Sequence, residues 1–350
     1  LAGTEVIAAH DDGSVWRWDL ADGDSTCLVP TSGDAAEESR IDLHRLPGPW
    51  LVLHRQGAPP EVWDLRSRER RAILSSDYGE FRSFAATPNG ALLAAGLSTG
   101  FLLVYRMPEA TEIARIEADP SEEIAVRAVG EDWLVTAGGS EPKLCAWRLP
   151  LKAESKPGKR LELEPDREIE RLDEANSLVG ADPVRGSIYV ADRDGLSRIR
   201  VDTGEVDAEV PFGDAHAVWF EPGGATVLAA HAGAIRSRRL VDGGHELIAR
   251  GADPFAGAYS PEGRVLAWIG QEPATVGILS TTAGHARTLD VRQPVADLAW
   301  ARDGVTLYCA HTMGGIAVWD TRKNVSRAVW KGPAKGLLNG IALSPDGERL

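Results

Sequence analysis

Cysteine is scarce in this sequence, and no long apolar run occurs in it. The three cysteines, Cys27, Cys145 and Cys309, lie too far apart for a disulfide framework or a metal-ligand motif. This cysteine usage agrees with a reducing compartment, so we expect the protein to be cytoplasmic. No stretch approaches the roughly 18 apolar residues of a membrane-spanning helix, so we expect no membrane partner.

Positive charge is also in short supply. The sequence has 38 lysine and arginine residues against 52 aspartate and glutamate residues, which gives a net charge of −14 at pH 7. Surfaces that bind nucleic acids or anionic membranes need a basic footprint. We therefore expect no nucleic-acid partner.

The common catalytic signatures are missing as well. The sequence has no Gly-x-Ser-x-Gly elbow, no Gly-x-Gly-x-x-Gly that opens a helix, no P-loop and no His-Glu-x-x-His motif. Such motifs position nucleophiles, phosphates and zinc ligands. Their absence predicts a non-catalytic protein, and we expect no catalytic residue, no cofactor and no bound metal.

What the sequence does contain is a repeated motif. Its 37 glycines, 21 prolines and 11 tryptophans indicate many short strands joined by tight turns. Val15-Trp-Arg-Trp-Asp-Leu20 resembles Glu61-Val-Trp-Asp-Leu65 and Ile316-Ala-Val-Trp-Asp-Thr321. We call the aligned residue of each copy the slot residue; the eight are Trp18, Trp63, Tyr105, Trp147, Ile199, Arg238, Leu279 and Trp319. Successive slot residues are separated by 45, 42, 42, 52, 39, 41 and 40 positions, spacings that are typical of propeller blades.

A turn motif recurs with the same period. Its copies include Thr87-Pro-Asn-Gly90, Glu221-Pro-Gly-Gly224, Ser260-Pro-Glu-Gly263, Ala301-Arg-Asp-Gly304 and Ser344-Pro-Asp-Gly347. Proline, aspartate or asparagine, and glycine in this order predict a hairpin turn, with glycine at a positive φ. In one repeat we predict an inner strand over 81–86, a second over 91–96, a third over 101–106 and an outer strand over 113–117.

Together, the Val-Trp-Asp strand ends and the Ser-Pro-Asp-Gly turns resemble the WD-repeat β-propeller family, in a degenerate, bacterial-type form, over essentially the whole chain. The resemblance implies an all-β fold, a β-propeller of four-stranded antiparallel blades. The Gly-His pair of that family is missing from most repeats, and the serine or threonine of its second strand is mostly alanine. We therefore expect the family's buried His–Ser–Asp–Trp hydrogen-bond set to be absent.

The two ends of the sequence bear on the number of blades. Eight third strands predict eight blades, with seven as the alternative, in a single domain over 1–350. We expect residues 338–343 to pair with residues 4–9, so that one blade shared by the termini closes the ring. The sequence begins at Leu1 and ends within a repeat, so we expect it to be a piece of a longer protein.

The resemblance also implies a binding face. Propellers of this family commonly bind peptides and protein loops at the end that carries the outer-to-inner loops and the second-to-third hairpins. The candidates at the inner-strand entrances are Arg82, Arg127, His216, Phe255, Asp297 and Asn339. Phe255 is the best candidate for an anchor, since an exposed aromatic has little packing use there.

Four histidines, His10, His54, His231 and His311, follow second strands and should lie at the same end. They are either a metal-binding or proton-sensitive ring or a trace of repeat ancestry, and we favour ancestry. A group of arginines, including Arg198, Arg200 and Arg238, is either an anion site or a set of ion pairs, and we favour ion pairs.

These observations predict a scaffold that binds a partner protein or peptide. The alternative is a cofactor- or metal-dependent propeller enzyme, similar to quinoproteins or lactonases. Such an enzyme needs a convergent set of carboxylate and amide ligands, which the sequence does not reveal.

Overall fold

The computed structural model describes most of the chain. It covers residues 5–10, 14–19, 24–30, 41–46, 50–55, 57–64, 67, 69–118, 124–138, 143–149, 165–169, 177–182, 185–191, 195–211, 217–221, 226–231, 233–239, 244–250, 256–270, 274–281, 285–331 and 338–342. Every regular element among these residues is a strand, and none of them forms a helix that could cross a membrane.

The strands are short and follow one another at regular intervals. The first sixteen are β1 (Glu5–His10), β2 (Val15–Asp19), β3 (Ser25–Val29), β4 (Ile41–Arg45), β5 (Trp50–Arg55), β6 (Glu61–Asp64), β7 (Glu69–Ile73), β8 (Phe81–Ala86), β9 (Leu92–Leu97), β10 (Phe101–Arg106), β11 (Thr111–Glu117), β12 (Ile124–Val129), β13 (Trp133–Gly138), β14 (Lys143–Arg148), β15 (Arg167–Ile169) and β16 (Ser177–Asp182). The others are β17 (Ser187–Ala191), β18 (Gly195–Arg200), β19 (Val206–Pro211), β20 (Ala217–Phe220), β21 (Thr226–His231), β22 (Ala234–Arg239), β23 (His245–Arg250), β24 (Ala256–Tyr259), β25 (Val265–Ile269), β26 (Thr275–Ser280), β27 (Ala286–Asp290), β28 (Val295–Trp300), β29 (Thr306–His311), β30 (Ile316–Asp320), β31 (Val325–Trp330) and β32 (Leu338–Ala342).

The described strands form eight four-stranded sheets, in which the pairing is antiparallel. The residues cluster in two compact units, Leu1–Arg45 with His54–Gln56 and Ala215–Leu350, and Leu46–Leu53 with Gly57–Asp214. The first unit holds the sheets β3-β2-β1-β32, β20-β21-β22-β23, β24-β25-β26-β27 and β28-β29-β30-β31; the second holds β11-β10-β9-β8, β12-β13-β14-β15 and β16-β17-β18-β19. The sheet β4-β5-β6-β7 takes residues from both.

The all-β class and the four-stranded antiparallel blades are as predicted. The predicted strands 81–86 and 101–106 coincide with β8 and β10, and the other two predicted strands of that repeat differ from β9 and β11 by one or two residues. A single domain and a ring of eight blades, with seven as the alternative, stay predictions.

Burial changes from strand to strand within a sheet, and the sequence explains why. All six residues of β9 and all six of β29 are buried, because these runs of apolar and small residues pack on both faces. The outer strands β27 and β31 are mostly exposed and carry charged and polar side chains. In the sheets that contain β9 and β29, the second strand is thus the most deeply buried element.

The apolar core lies between neighbouring sheets rather than at one centre. One cluster joins β24–β27 to β28–β31 through residues such as Ile278, Leu298 and Trp300. Another joins β8–β11 to β12–β15 through Leu102, Val126 and Trp147. Each sheet therefore depends on its neighbours for the burial of its faces.

Hydrogen bonds also connect neighbouring sheets. The Trp300 indole donates from Nε1 to the Ala258 carbonyl at 2.9 Å, and the Ser83 hydroxyl donates to the Ile124 carbonyl at 2.8 Å. A Cβ on Gly96 would lie 2.5 Å from the Ser83 Oγ and 2.6 Å from the Ile124 oxygen. Gly96 therefore leaves the space in which this second bond forms.

Three of the predicted turns form as the sequence indicates. Gly90, Gly263 and Gly304 have φ values of 69°, 70° and 62°, and each donates its N–H to the carbonyl three residues before it. Asp303 accepts hydrogen bonds from Val305 N and Thr306 N at 2.8 Å. These bonds to its ionised form hold the pKa of Asp303 below its usual range, although burial raises it.

Asp64 and Asp320, each directly after a slot tryptophan, have a structural role. Asp64 and Asp320 each accept a hydrogen bond from the backbone N–H three residues later and pair with an arginine seven residues later, Arg71 and Arg327 respectively. The Trp-Asp motif therefore joins the third strand to the outer strand. Because of Arg327, the pKa of Asp320 lies below its usual range.

The slot residues divide into two groups. Trp18 and Trp147 are 0% and 2% exposed, whereas Trp63 and Trp319 are half-buried. Their position in the repeat predicts that Trp63 and Trp319 are buried between blades, and this prediction is wrong, because both are only half-buried; Trp63 donates from Nε1 to Glu61 Oε2 at 2.9 Å. At the equivalent position the repeat predicts an exposed guanidinium for Arg238, but this residue is half-buried.

The expected absence of the family's tryptophan hydrogen bond has one exception. Trp147 donates from Nε1 to Thr136 Oγ1 at 3.0 Å, from the third strand to the second. Thr136 stands where three of the other second strands have alanine, at Ala8, Ala95 and Ala229, which have no hydroxyl that could accept this bond.

The ends of the chain share a sheet as predicted. The strand β32 pairs antiparallel with β1, with Ile7 opposite Ala342 and Ala8 opposite Ile341. Asp297 Oδ2 accepts a hydrogen bond from Ile341 N at 3.0 Å, which joins β32 to β28 as well.

Truncation tests this shared sheet. Removal of residues 338–350 should lower the melting temperature and increase aggregation, because it leaves the edge of β1 unpaired and uncovers Ala8 and Trp18. Thermal melts with light scattering measure both effects. A synthetic peptide of residues 338–350 added in trans should restore part of the loss, and an unchanged melting temperature after truncation would contradict the pairing.

Substitution separates the two kinds of slot tryptophan. Trp147→Ala should lower the free energy of unfolding by about 3–5 kcal/mol, since a fully buried ring leaves a cavity. Trp63→Ala should cost about 1–2 kcal/mol, because part of its ring already contacts water. Urea denaturation of both variants gives the comparison; equal losses would show that the burial difference has no energetic weight.

Candidate functional site

The outer-to-inner loops and the second-to-third hairpins lie at one end of the strands, as the antiparallel order requires. In the first unit, this end includes the loop 291–294 and the hairpin 312–315. We call these two segments the loop–hairpin patch. It lies where β27 leads into β28 and where β29 leads into β30.

Backbone hydrogen bonds hold the two segments of the patch together. Thr312 donates its N–H to the Pro294 carbonyl at 2.9 Å, and the Gly314 N–H bonds the His311 carbonyl at 2.9 Å. Gly314 and Gly315 have φ values of 84° and 96°, which only glycine adopts without strain. The chain therefore reverses direction within a fixed, tight hairpin.

His311 is buried at the end of β29, directly before the hairpin of the patch. It is 2% exposed, and its imidazole lies beside the backbone carbonyls of Pro294 and Gln293. Burial lowers the pKa of His311, and the neighbouring carbonyls of Pro294 and Gln293 oppose that effect. Of the four histidines expected at this face, His311 is thus enclosed beside the loop, and its side chain is too buried to contact a partner.

The patch presents two unlike side chains to solvent. Met313 is 71% exposed at the tip of the hairpin. Arg292 is exposed on the loop and has a φ of 63°, an unusual value for a residue other than glycine, and its N–H bonds Asp290 Oδ1 at 3.2 Å. Methionine and arginine are both enriched at protein interfaces.

Sequence reasoning missed Met313 and Arg292, because it weighed only histidines and inner-strand entrances. A signal was available. Met313 is one of two methionines in the chain and directly precedes Gly314-Gly315, a pair that marks a hairpin tip between two apolar runs.

In the second unit, the loop before the inner strand β8 forms an entrance around Tyr78. The Arg115 guanidinium lies 3.7 Å from the centroid of the Tyr78 ring, and Phe101 lies 5.0 Å from it. The Thr99 hydroxyl donates to the Tyr78 carbonyl, which ties the loop to the hairpin between β9 and β10. Arg82 follows on β8, 41% exposed, with its guanidinium 3.0 Å from Glu80.

Arg82 and Asn339 share a structural feature that the sequence did not indicate. In β8 the register shifts between Phe81 and Ser83, and in β32 it shifts between Leu338 and Gly340. Each candidate is thus the extra residue of a β-bulge. Bulges redirect side chains and are frequent beside functional sites.

Two other entrance candidates are engaged by their own surroundings. Arg127 is half-buried, bonds the Val126 carbonyl at 2.9 Å, and has a pKa lowered by burial. Asp297 accepts bonds from Leu298 N at 2.8 Å and from Ile341 N. Burial raises the pKa of Asp297, and the two N–H donors lower it. Both residues are thus placed to support strands.

The structure describes the remaining candidates only in part. His216 and Phe255 lie outside the described residues. His10, His231 and Asn339 belong to β1, β21 and β32, and their side chains are not described. His54 is half-buried near the end of β5. The described residues contain no group of three histidine, cysteine, aspartate or glutamate side chains that could hold a metal ion.

Two arginines of the group for which we favoured ion pairs, Arg198 and Arg200, form them. Arg198 bonds Asp207 at 2.6 Å, and Arg200 bonds Asp202 at 2.6 Å. The hydrogen bond to Asp207 is the main reason that the pKa of Arg198 is raised. These two side chains therefore serve the sheet β16–β19.

Comparison with known proteins bears on the fold. No family model and no curated protein sequence matches this chain. Among solved structures, it is similar to the dihydro-heme d1 dehydrogenase NirN in complex with DHE, with a TM-score of 0.76 and 15% identity over 99% of this chain and 76% of that one. It is also similar to the C-terminal WD40 domain of Sif2, with a TM-score of 0.68 and 12% identity over 90% and 92% of the two chains.

A third similar structure is that of Saccharomyces cerevisiae Sqt1, with a TM-score of 0.61 and 13% identity over 84% of this chain and 85% of that one. Identities this low carry information about the fold alone. The fold is a β-propeller with four-stranded antiparallel blades.

The effect of His311 burial can be tested through the pH dependence of stability. Because burial places its folded-state pKa below the unfolded value of about 6.5, the folded protein binds fewer protons, and stability falls as pH drops below that value. His311→Gln removes this dependence. Urea denaturation measures the free energy of unfolding of the wild type and the variant. The difference between them should shrink from pH 7.5 to pH 5.5, and a constant difference would contradict this effect of His311 burial.

Proposed function

We propose that this chain is a degenerate relative of the WD-repeat propellers that works in the cytoplasm as a non-catalytic module and binds a partner protein or peptide. The single observation that carries the proposal is Met313, a large apolar side chain that is 71% exposed on a hairpin fixed by hydrogen bonds. Its three cysteines are free, which agrees with a reducing compartment.

The physical argument concerns the entropy of binding. An anchor on a rigid hairpin has little backbone freedom to lose when a partner covers it, so more of its apolar burial contributes to affinity. Around Met313, the backbone bonds to Pro294 and His311 supply that rigidity. Arg292 adds a charge that can pair with a carboxylate of the partner at the rim.

The exposed loop residues differ from sheet to sheet, which favours an asymmetric partner. The entrance in the second unit presents Tyr78, Glu80 and Arg82, which differ in chemistry from Arg292 and Met313 of the first unit. Packing positions repeat from sheet to sheet while these exposed positions do not. An asymmetric partner such as a peptide or protein loop requires that kind of variation.

The competing proposal is a cofactor- or metal-dependent propeller enzyme. The similarity in fold to NirN is the reason to consider an enzyme, although NirN and this chain are only 15% identical. An absorbance spectrum and elemental analysis of protein purified from its native host distinguish the two. We expect no stoichiometric chromophore or metal, and either one would favour the enzyme.

Binding through the patch can be tested by affinity capture from the native host. The variant Met313→Ser with Arg292→Ala should lose partners that the wild type recovers, because both exposed contacts are removed. Val329→Ser is the matched control, since Val329 is 60% exposed but lies on the outer strand β31. All three proteins must melt at the same temperature.

Quantitative mass spectrometry of the captured proteins gives the outcome. The control should retain every partner of the wild type, and the patch variant should retain them at about one tenth or less of the amount. Equal recovery by the patch variant and the wild type would show that partners bind elsewhere.

A further inference from the structure

A second candidate site lies at the opposite ends of the strands from the loop–hairpin patch. A cavity of about 340 Å³ opens between the sheets β24–β27 and β28–β31, where the inner-to-second turns and the third-to-outer turns meet. We call it the turn cavity. Its volume is within the range of small-ligand sites, at the lower end.

The lining of the turn cavity is rich in cations, although the chain as a whole carries a net charge of −14. Arg264, Arg287 and Arg322 line it together with His285. The two acidic residues that also line it are Glu262, which pairs with Arg264 at 3.4 Å, and Asp303, whose oxygens accept bonds inside their own turn. Within the described residues, neither carboxylate forms an ion pair with Arg287 or Arg322.

The two arginines differ in how they are held. Arg287 donates to the backbone carbonyl of Thr321, so its guanidinium is fixed across the gap between the two sheets by a neutral acceptor. The Arg322 side chain makes no ion pair or hydrogen bond within the described part of the chain. The cavity thus combines a positioned guanidinium with one that is available to a ligand.

Beneath these charges the cavity has apolar walls. Ile278 is 2% exposed and Val265 is half-buried, and both line the cavity from neighbouring strands of one sheet. A ligand that fits must therefore combine an anionic group near the arginines with a small apolar stem. Guanidinium groups bind planar carboxylates and phosphates through paired hydrogen bonds.

We propose that the turn cavity binds an oxyanion, a phosphate or a carboxylate, carried on a short apolar stem, and that Arg322 and Arg287 hold the anion. The site uses none of the residues of the loop–hairpin patch. Its occupation is therefore separate from partner binding at the other end of the strands.

Isothermal titration calorimetry with three probes tests the proposal: phenyl phosphate, benzoate and inorganic phosphate. The wild type should bind phenyl phosphate or benzoate saturably, with a Kd of about 1 mM or tighter. Whichever of the two binds more tightly identifies the anion. Inorganic phosphate should bind more weakly than phenyl phosphate, because it lacks the stem.

Variants locate the binding. Arg322→Gln should weaken the preferred probe by about tenfold, since one charge-assisted contact is lost. The matched control is Arg236→Gln, an exposed third-strand arginine on another sheet of the same unit. Arg287→Gln should weaken binding too, and Arg322→Gln gives the answer by itself if the loss of the Thr321 contact destabilises the Arg287 variant.

The outcomes separate this proposal from the proposed function. Met313→Ser should bind the probes like the wild type even where it loses its protein partner. No saturable binding of either stemmed probe, unchanged binding by Arg322→Gln, or equal weakening by Arg236→Gln would each overturn the oxyanion site. Equal affinity for inorganic phosphate and phenyl phosphate would overturn the part assigned to the stem.

Discussion

Burial of the second strands between neighbouring sheets is the constraint on which the rest of this structure depends. Runs such as Leu92 to Leu97 are apolar on both faces, so a single sheet cannot satisfy them. Only the next sheet can cover them, and the apolar clusters accordingly lie between sheets. Cross-sheet hydrogen bonds such as that of Trp300 then fix how the covered faces fit together.

Much of this fold could be predicted because its signals are local. Turn chemistry at Thr87 to Gly90 depends on a few adjacent residues, and strand limits followed from it to within one or two positions. The burial of individual tryptophans was harder. Trp63 and Trp147 occupy the same repeat position, but Glu61 gives Trp63 a partner near the surface, whereas Thr136 gives Trp147 one inside.

The candidate site was less predictable for the same physical reason. Exposure at loops depends on which backbone groups bond to each other across the chain, as Thr312 does with Pro294. Such contacts leave no periodic trace in the sequence. The sequence therefore predicts exposure for a histidine at the end of a buried strand. His311 is nevertheless buried, and Met313, two residues later, is exposed.

The register shifts between third and outer strands affect how molecules of this protein associate through their sheet edges. In four sheets the shift falls directly before the slot residue, as at Val62 and Val318. A bulge increases local twist, so the outer edge is not a flat template for another strand. Val325 and Val329 can thus remain exposed on β31 while the twisted edge disfavours the strand-to-strand stacking that begins a fibril.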